Sequence, residues 1–197
     1  MAPSAARRMP THADLADLDP AGAYEILGGE IVEKAAPSGE HGVAQAGLNG
    51  LLWAPFHRRP GGEGGPGGWW ILTEVEVELG LHDLVRPDLV GWRRERLPER
   101  PTGSPQRLSP DWVCEILSPS TARRDLGEKA RLYHRHQVPW YWTVDPVAGF
   151  VQVLRHTPQG YLVEVVAGPG EPARLPPFDA VALDLGRLFG VEPVEPG

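Results

Sequence analysis

Two acids interrupt apolar runs of this chain. Asp88 stands in Val85-Arg86-Pro87-Asp88-Leu89-Val90, and Glu115 in Trp112-Val113-Cys114-Glu115-Ile116-Leu117. A carboxylate among apolar neighbours is costly to bury unless it is paired, hydrogen-bonded or bound to metal. If the two runs are neighbouring strands, the carboxylates repel, and a divalent cation converts that repulsion into a binding site. Hard oxygen donors of this kind suit Mg2+ or Mn2+. Such an ion acidifies a bound water and neutralises charge building on a phosphate, which is the chemistry of phosphodiester hydrolysis.

That chemistry also wants a compact cation. Lys34 and Lys129 are the only lysines among 19 basic residues. An arginine fork does not replace an ammonium point charge, so a lysine kept in an arginine-rich chain is a candidate. The residue two after Glu115, which shares its strand face, is Leu117, so the strand itself supplies no cation. The next helix can, because Asp125, Lys129, Leu132 and His136 fall on one face at i, i+4, i+7 and i+11. If that face looks toward the strand ends, Lys129 reaches the acids. Asp125 reads first as the N-cap of this helix, with Glu128 completing an Asp-x-x-Glu arrangement, and only second as an auxiliary acid. Cys114 points away from Glu115 and reads as packing.

The elements that must position these groups follow from periodicity and turn residues. A short helix is expected over 11–18, opened by Thr11 with Asp14. Strands at 24–27 and 30–34 flank Gly28-Gly29, a hairpin signal. A helix over 40–53 is expected to be closed by Pro55. Residues 60–68, almost pure Gly and Pro, read as a flexible loop. Strict alternation over 70–79 predicts one strand with Glu74, Glu76 and Glu78 on its wet face, returning as a second strand over 84–92. A strand at 112–117, a helix at 125–136 and a strand at 140–144 come next, then a hairpin from 150–154 and 161–166. This order predicts an α/β (α+β) domain, a mixed sheet with helices on its faces and additional antiparallel hairpins. Tryptophans 69, 70, 92, 112, 140 and 142 lie on or beside strands and are expected in the core or at an interface.

Bulk properties bound the rest. At 197 residues the chain is expected to be one domain over 11–190, with a disordered tail at 1–10 and a flexible one at 191–197. No apolar run approaches the roughly 18 residues of a membrane span, and Arg7-Arg8 precede no apolar stretch, so a cytoplasmic protein is expected. A single cysteine excludes an internal disulfide and a cysteine-based zinc site. The net charge of −7 counts against a general nucleic-acid binder, since lysine and arginine supply most such affinity. Arginines clustered at 93–107 and 123–135 soften that objection.

The ordered set of motifs resembles one family. Tyr24-Glu25-Ile26-Leu27 with Gly29-Glu30 comes first, then Pro37-Ser38 with His41, then Asp88. Glu115-Ile116-Leu117-Ser118-Pro119-Ser120, Arg124-Asp125-Leu126-Gly127-Glu128-Lys129 and Tyr133 follow, and Val138-Pro139, Tyr141-Trp142 and Val144-Asp145-Pro146 complete it. Together they resemble the Uma-two endonuclease family of the PD-(D/E)XK, restriction-endonuclease-like superfamily. The resemblance implies a magnesium-dependent phosphodiesterase site with Asp88 and Glu115 as metal carboxylates. It implies that the lysine has moved from strand to helix, here Lys129, that Glu30 is an additional acid, and that His41 lies near the same cleft. DNA is then the expected partner and a homodimer the expected assembly, because cutting both strands usually needs two sites. The rival expectation is a catalytically weak member of the fold acting as a binding module, which the net acidity favours. A hydrolase of another phosphate ester is the third.

Overall fold

In the computed structural model, residues 8–191 are described. Of the tails expected at 1–10 and 191–197, residues 1–7 and 192–197 therefore lie outside the described residues. Residues 8–10 are tied down: Met9 lies over Gly29, and His82 donates to the Pro10 carbonyl at 2.8 Å.

Ten strands form two sheets. Strands β1 (Tyr24–Leu27), β2 (Glu30–Glu33), β4 (Val77–Gly80) and β5 (Asp83–Val85) make a four-stranded sheet in the order β2-β1-β5-β4. The larger sheet runs β10-β9-β8-β7-β6-β3, from β3 (Trp69–Thr73), β6 (Leu89–Arg93), β7 (Trp112–Ile116), β8 (Trp140–Asp145), β9 (Phe150–Thr157) and β10 (Gly160–Ala167). Among the strands of the described residues, β7 and β8 alone pair in parallel, joined by the helical segment 122–135, so the sheet is mixed as expected. The β1–β2 hairpin turns on Gly28 and Gly29 at φ 58° and 82°, the paired positive angles that a two-residue turn of this hand requires.

The strands expected at 70–79 and 84–92 are both broken. Each begins in one sheet and ends in the other: β3 and β6 pair from Trp69↔Arg93 to Thr73↔Leu89, and β4 and β5 pair from Val77↔Val85. Between them, residues 74–76 face 86–88 without regular pairing. Glu74 takes φ 55°, a left-handed conformation that ends the alternation, and Pro87 has no N–H to give a ladder. One long hairpin thus passes between two sheets, and Asp88 sits at the seam.

Helix α1 (Gly39–Phe56) starts at Ser38, whose hydroxyl accepts the His41 N–H, and contains Pro55 in its last turn rather than ending before it. Ala44, Leu48, Leu52 and Phe56 bury one face against the large sheet and the C-terminal segment, where Leu175, Phe178, Leu183, Leu185 and Leu188 complete the core. On the opposite sheet face a second core joins Val90, Trp92, Val113 and Tyr141 to Leu132, Tyr133 and Val138. Trp92, Trp112 and Trp142 are fully buried, and Trp69 nearly so, as core residues. Cys114 packs in the first core and Glu115 faces the second, the alternation a strand imposes. The end of the Gly/Pro segment 60–68 is pinned, because the Gly67 and Gly68 N–H groups donate to the Pro55 and Arg58 carbonyls. A Cβ at Gly67, where φ is 65°, would stand 2.2 Å from the Arg59 carbonyl oxygen.

Candidate active site

Asp88 ends the irregular seam, and its carboxylate turns into the gap between β7, α1 and the β1–β2 hairpin. Its Oδ2 accepts the Ile116 N–H at 2.6 Å and lies 3.2 Å from His41 Nε2, while Oδ1 accepts from Lys34 Nζ at 2.8 Å. Burial alone would raise its pKa. The His41 hydrogen bond and the Lys34 charge outweigh burial and hold it well below the usual carboxylate range.

Lys34 follows directly on β2. Its ammonium also reaches Glu74 Oε2 at 2.7 Å and the Arg86 carbonyl at 3.0 Å. Burial works against its charge, but Asp88, Glu115 and Glu74 more than offset that and keep it protonated. Gln45 of α1 closes this side, donating to the Asp88 carbonyl at 3.0 Å and to Glu74 Oε1 at 3.1 Å.

Lys129 organises the other half. The helical segment begins as α2 (Ala122–Arg124), widens into a π turn over Asp125–Lys129 and resumes as α3 (Ala130–Arg135). Such a turn inserts extra length into a helix and recurs at functional sites. Here it sets Asp125 and Lys129 inward together, and the Asp125 carbonyl accepts both the Ala130 N–H and the Tyr141 hydroxyl. Lys129 Nζ lies 2.8 Å from Glu25 Oε1, 3.0 Å from Glu115 Oε1 and 3.8 Å from Asp125 Oδ1. Tyr133 donates to the same Glu115 oxygen at 2.5 Å, and the Arg86 N–H to Glu25 Oε1 at 2.8 Å.

One buried cation therefore serves three carboxylates. Burial pushes Glu115 up to about 8, with Asp88, Asp125 and Glu25 adding to the rise and Lys129 opposing it. Asp125 is raised by burial in the same way. Burial alone would lower the pKa of Lys129, but Glu115, Glu25 and Asp125 hold it well above the ordinary lysine value. Lys129 thus stays charged, and Glu115 is the acid that keeps its proton until the pH nears 8.

Glu25, Asp88, Glu115 and Asp125 are each at most 3% exposed, and all four line one cleft with Lys34, His41, Ser118, Thr121, Arg124 and Lys129. Four buried acids stand against two lysines and the half-buried Arg124, and burial pushes Glu115 and Asp125 toward their neutral forms. Glu25 Oε2 and His41 Nδ1 are buried there without a hydrogen-bond partner, and both hydrogen bonds to Glu115 fall on Oε1. Among the described residues, no group of three or more His, Cys, Asp and Glu side chains is already arranged to hold a metal ion. The donor chemistry still fits a hard divalent cation: orphaned or underused carboxylate oxygens of several acids gathered in one cleft.

Of the residues singled out from sequence, Asp88, Glu115, Lys129, Asp125 and His41 come together. Asp125 is not the N-cap, since the helical segment begins three residues earlier after Thr121. His41 is buried rather than a surface histidine. Glu30 is not brought to the cleft; it is exposed in β2 opposite Leu27, beside Gly28 and Gly29. The hairpin's acid in the cleft is Glu25, and the missed cation is Lys34. Both left a signal: Glu25 interrupts an apolar strand as Glu115 does, and Lys34 is the second of two lysines.

Among curated proteins, no sequence matches this chain. The structure is similar to the crystal structure of a putative nuclease belonging to DUF820 from Anabaena variabilis ATCC 29413, with a TM-score of 0.67 and 23% identity. The match covers 92% of this chain and 98% of that one and places both in the restriction-endonuclease-like fold. The model of the Uma2 family, described as "putative restriction endonuclease", matches residues 9–186. With nearly the whole chain inside that match, and its acids and lysines gathered at one seam of the fold, this protein belongs to the Uma2 family.

Proposed function

We propose that the cleft is the active site of a magnesium- or manganese-dependent endonuclease that hydrolyses DNA phosphodiester bonds. The observation that carries this reading is the gathering of four buried acids in one cleft, one with an orphaned oxygen, Glu25, and one that burial keeps protonated, Glu115. Asp88, Glu115 and Glu25 would hold the ion, with Asp125 behind them. When bound, magnesium supplies an acidified water and neutralises charge developing on the phosphate.

The chain's own residues divide the remaining work. Lys129, its side chain only 3% exposed, fixes Glu25 and Glu115 relative to each other and is a positioning residue. Lys34 keeps 14% of its side chain exposed and is the ammonium able to exchange Asp88 for a phosphate oxygen, with Glu74 holding it at the cleft mouth. His41 orients the Asp88 carboxylate through Nε2. A homodimer would bring two such clefts to the two strands of a duplex, and light scattering would test that assembly.

Magnesium-dependent nicking of supercoiled plasmid by the wild type, set beside Asp88→Asn and Glu115→Gln, tests the reading. Wild-type nicking that both variants lose supports it; equal nicking by all three removes the site. One observation favours the rival, a nuclease-fold binding module: both Asp88 oxygens already have partners, and Lys34 stands on one of them. Calorimetric titration with Mg2+ and Mn2+ separates the two, since a module needs no metal uptake.

A further inference from the structure

Helix α1 links the cleft to a second surface of a different character. His41, Gln45, Asn49, Trp53 and His57 succeed one another at i, i+4 steps, a single ridge of the helix. The ridge starts at Asp88, where His41 and Gln45 make their contacts, and runs beside the edge strand β3. From His41 to Trp53 it rises about 18 Å, at roughly 1.5 Å per residue.

At its far end the ridge becomes an aromatic platform. Trp53, 46% exposed, stacks on His57 with ring centroids 3.5 Å apart and an interplanar angle of 11°. His57 meets Trp70 edge-on at 5.4 Å, and its Nδ1 lies within hydrogen-bond distance of the Ile71 backbone, 3.0 Å from N and 2.9 Å from O. Burial and the nearby Arg94 lower the pKa of His57, so the stack is between neutral rings. Trp70 is fixed in turn by its indole N–H on the Leu97 carbonyl, and the Arg94 guanidinium lies 3.6 Å above its ring. Of the three rings, Trp53 is the one open to solvent.

Uncompensated positive charge surrounds it. The arginine ion pairs among the described residues belong to Arg8, Arg86, Arg96, Arg107, Arg135 and Arg155. Arg58, Arg59, Arg93 and Arg94 are in none, and the adjacent acids Glu63 and Glu95 are exposed and pair with no described residue. Arg59 and Arg94 stand close enough to repel. The Gly/Pro segment, pinned at its end, holds them there: Arg58 lies over Gly64, and the Arg94 N–H donates to the Gly68 carbonyl. In a chain of net charge −7, four neighbouring arginines outside any ion pair are a local exception.

A ring open to solvent beside unpaired arginines matches one ligand chemistry, a base to stack and phosphates to neutralise. We propose that Trp53, with Arg58, Arg59 and Arg94, binds a single nucleic-acid strand that leaves the cleft along the α1 ridge. The inference rests on the nucleic-acid part of the reading above and is independent of the cleft's metal chemistry.

Fluorescence anisotropy with a labelled oligothymidylate of about 15 nucleotides, in EDTA so that nothing is cut, reads the patch alone. Trp53→Ala should weaken binding by roughly tenfold, the scale of one lost base stack. Arg58→Ala with Arg94→Ala should flatten the salt dependence by about two phosphate contacts. Arg155→Ala, on β9, should bind as wild type does. Unchanged melting temperatures of these surface variants show that folding is not what is read. Binding by Trp53→Ala equal to wild type overturns the proposal, as does wild type that binds no strand. Plasmid nicking without strand binding would remove the patch and leave the cleft; strand binding without nicking would do the reverse. An equal response to oligouridylate keeps the site and extends it to RNA.

Discussion

Asp88 is hydrogen-bonded to the strand that carries its partner acid: its Oδ2 accepts the N–H of Ile116, the residue after Glu115, at 2.6 Å. The bond ties the seam of the long hairpin to β7 and sets the two carboxylates in fixed relation. Changes at Asp88 therefore carry a structural cost that must be separated from chemistry. Asp88→Asn keeps a carbonyl for Ile116 but takes away the charge that Lys34 and His41 face, so it is expected to lose at least about a hundredfold of nicking together with some stability. Asp88→Ala leaves that N–H unsatisfied and should cost about 1–3 kcal/mol in urea denaturation as well.

Removing the shared cation should be expensive. Lys129→Met leaves Glu25, Glu115 and Asp125 buried without their counter-charge, a loss on the order of 3–5 kcal/mol. Protonation of Glu115 and Asp125, both raised by burial, relieves that repulsion, so the deficit should be large at pH 8 and shrink toward pH 5. Urea melts at the two pH values check it. A deficit that does not vary with pH would mean that Lys129 matters for packing alone.

Metal uptake should release a proton. The folded-state pKa of Glu115 is raised from its ordinary 4.5 to about 8, so the folded protein binds the extra proton across that interval. Stability contributed by neutral Glu115 is present at low pH and falls as pH rises toward 8. A cation takes the place of the proton. Near pH 7, calorimetry in buffers of differing ionisation enthalpy should show about one proton released per Mg2+, absent in Glu115→Gln and vanishing well above pH 8.

Two acids of one hairpin separate the cleft from its surroundings. Glu25→Gln is expected to weaken Mn2+ binding by at least about tenfold, because Glu25 Oε2 is buried and free of protein donors. Glu30→Gln, on an exposed edge, should leave metal binding unchanged. Equal losses from both would return Glu30 to the site.

These outcomes also show what the sequence could convey. Asp88 and Glu115 were legible because a charge in an apolar strand needs a reason, and Lys129 because lysine is rare and helical spacing puts it opposite. Glu25 obeys the same rule in a strand of only four residues, where a run too short to show a period gives the rule little context. Lys34 follows an exposed strand, and nothing local says that its side chain folds back onto a residue 54 positions later. The broken strands at 70–79 and 84–92 failed for a related reason. Alternation continues through Glu74 in the sequence, but a positive φ at one residue, set by the passage between sheets, ends it in space.

The unpaired stretch where 74–76 face 86–88 has a thermal consequence. Asp88 depends on it, yet its residues lie outside the ladders, and of them Val75 alone packs against a core, while ladders and cores hold most of the cooperative stability. On warming, this stretch should loosen while the sheets on either side remain folded. Function would then fade at a lower temperature than the one at which tryptophan burial is lost, and cooling from that interval would restore it without refolding.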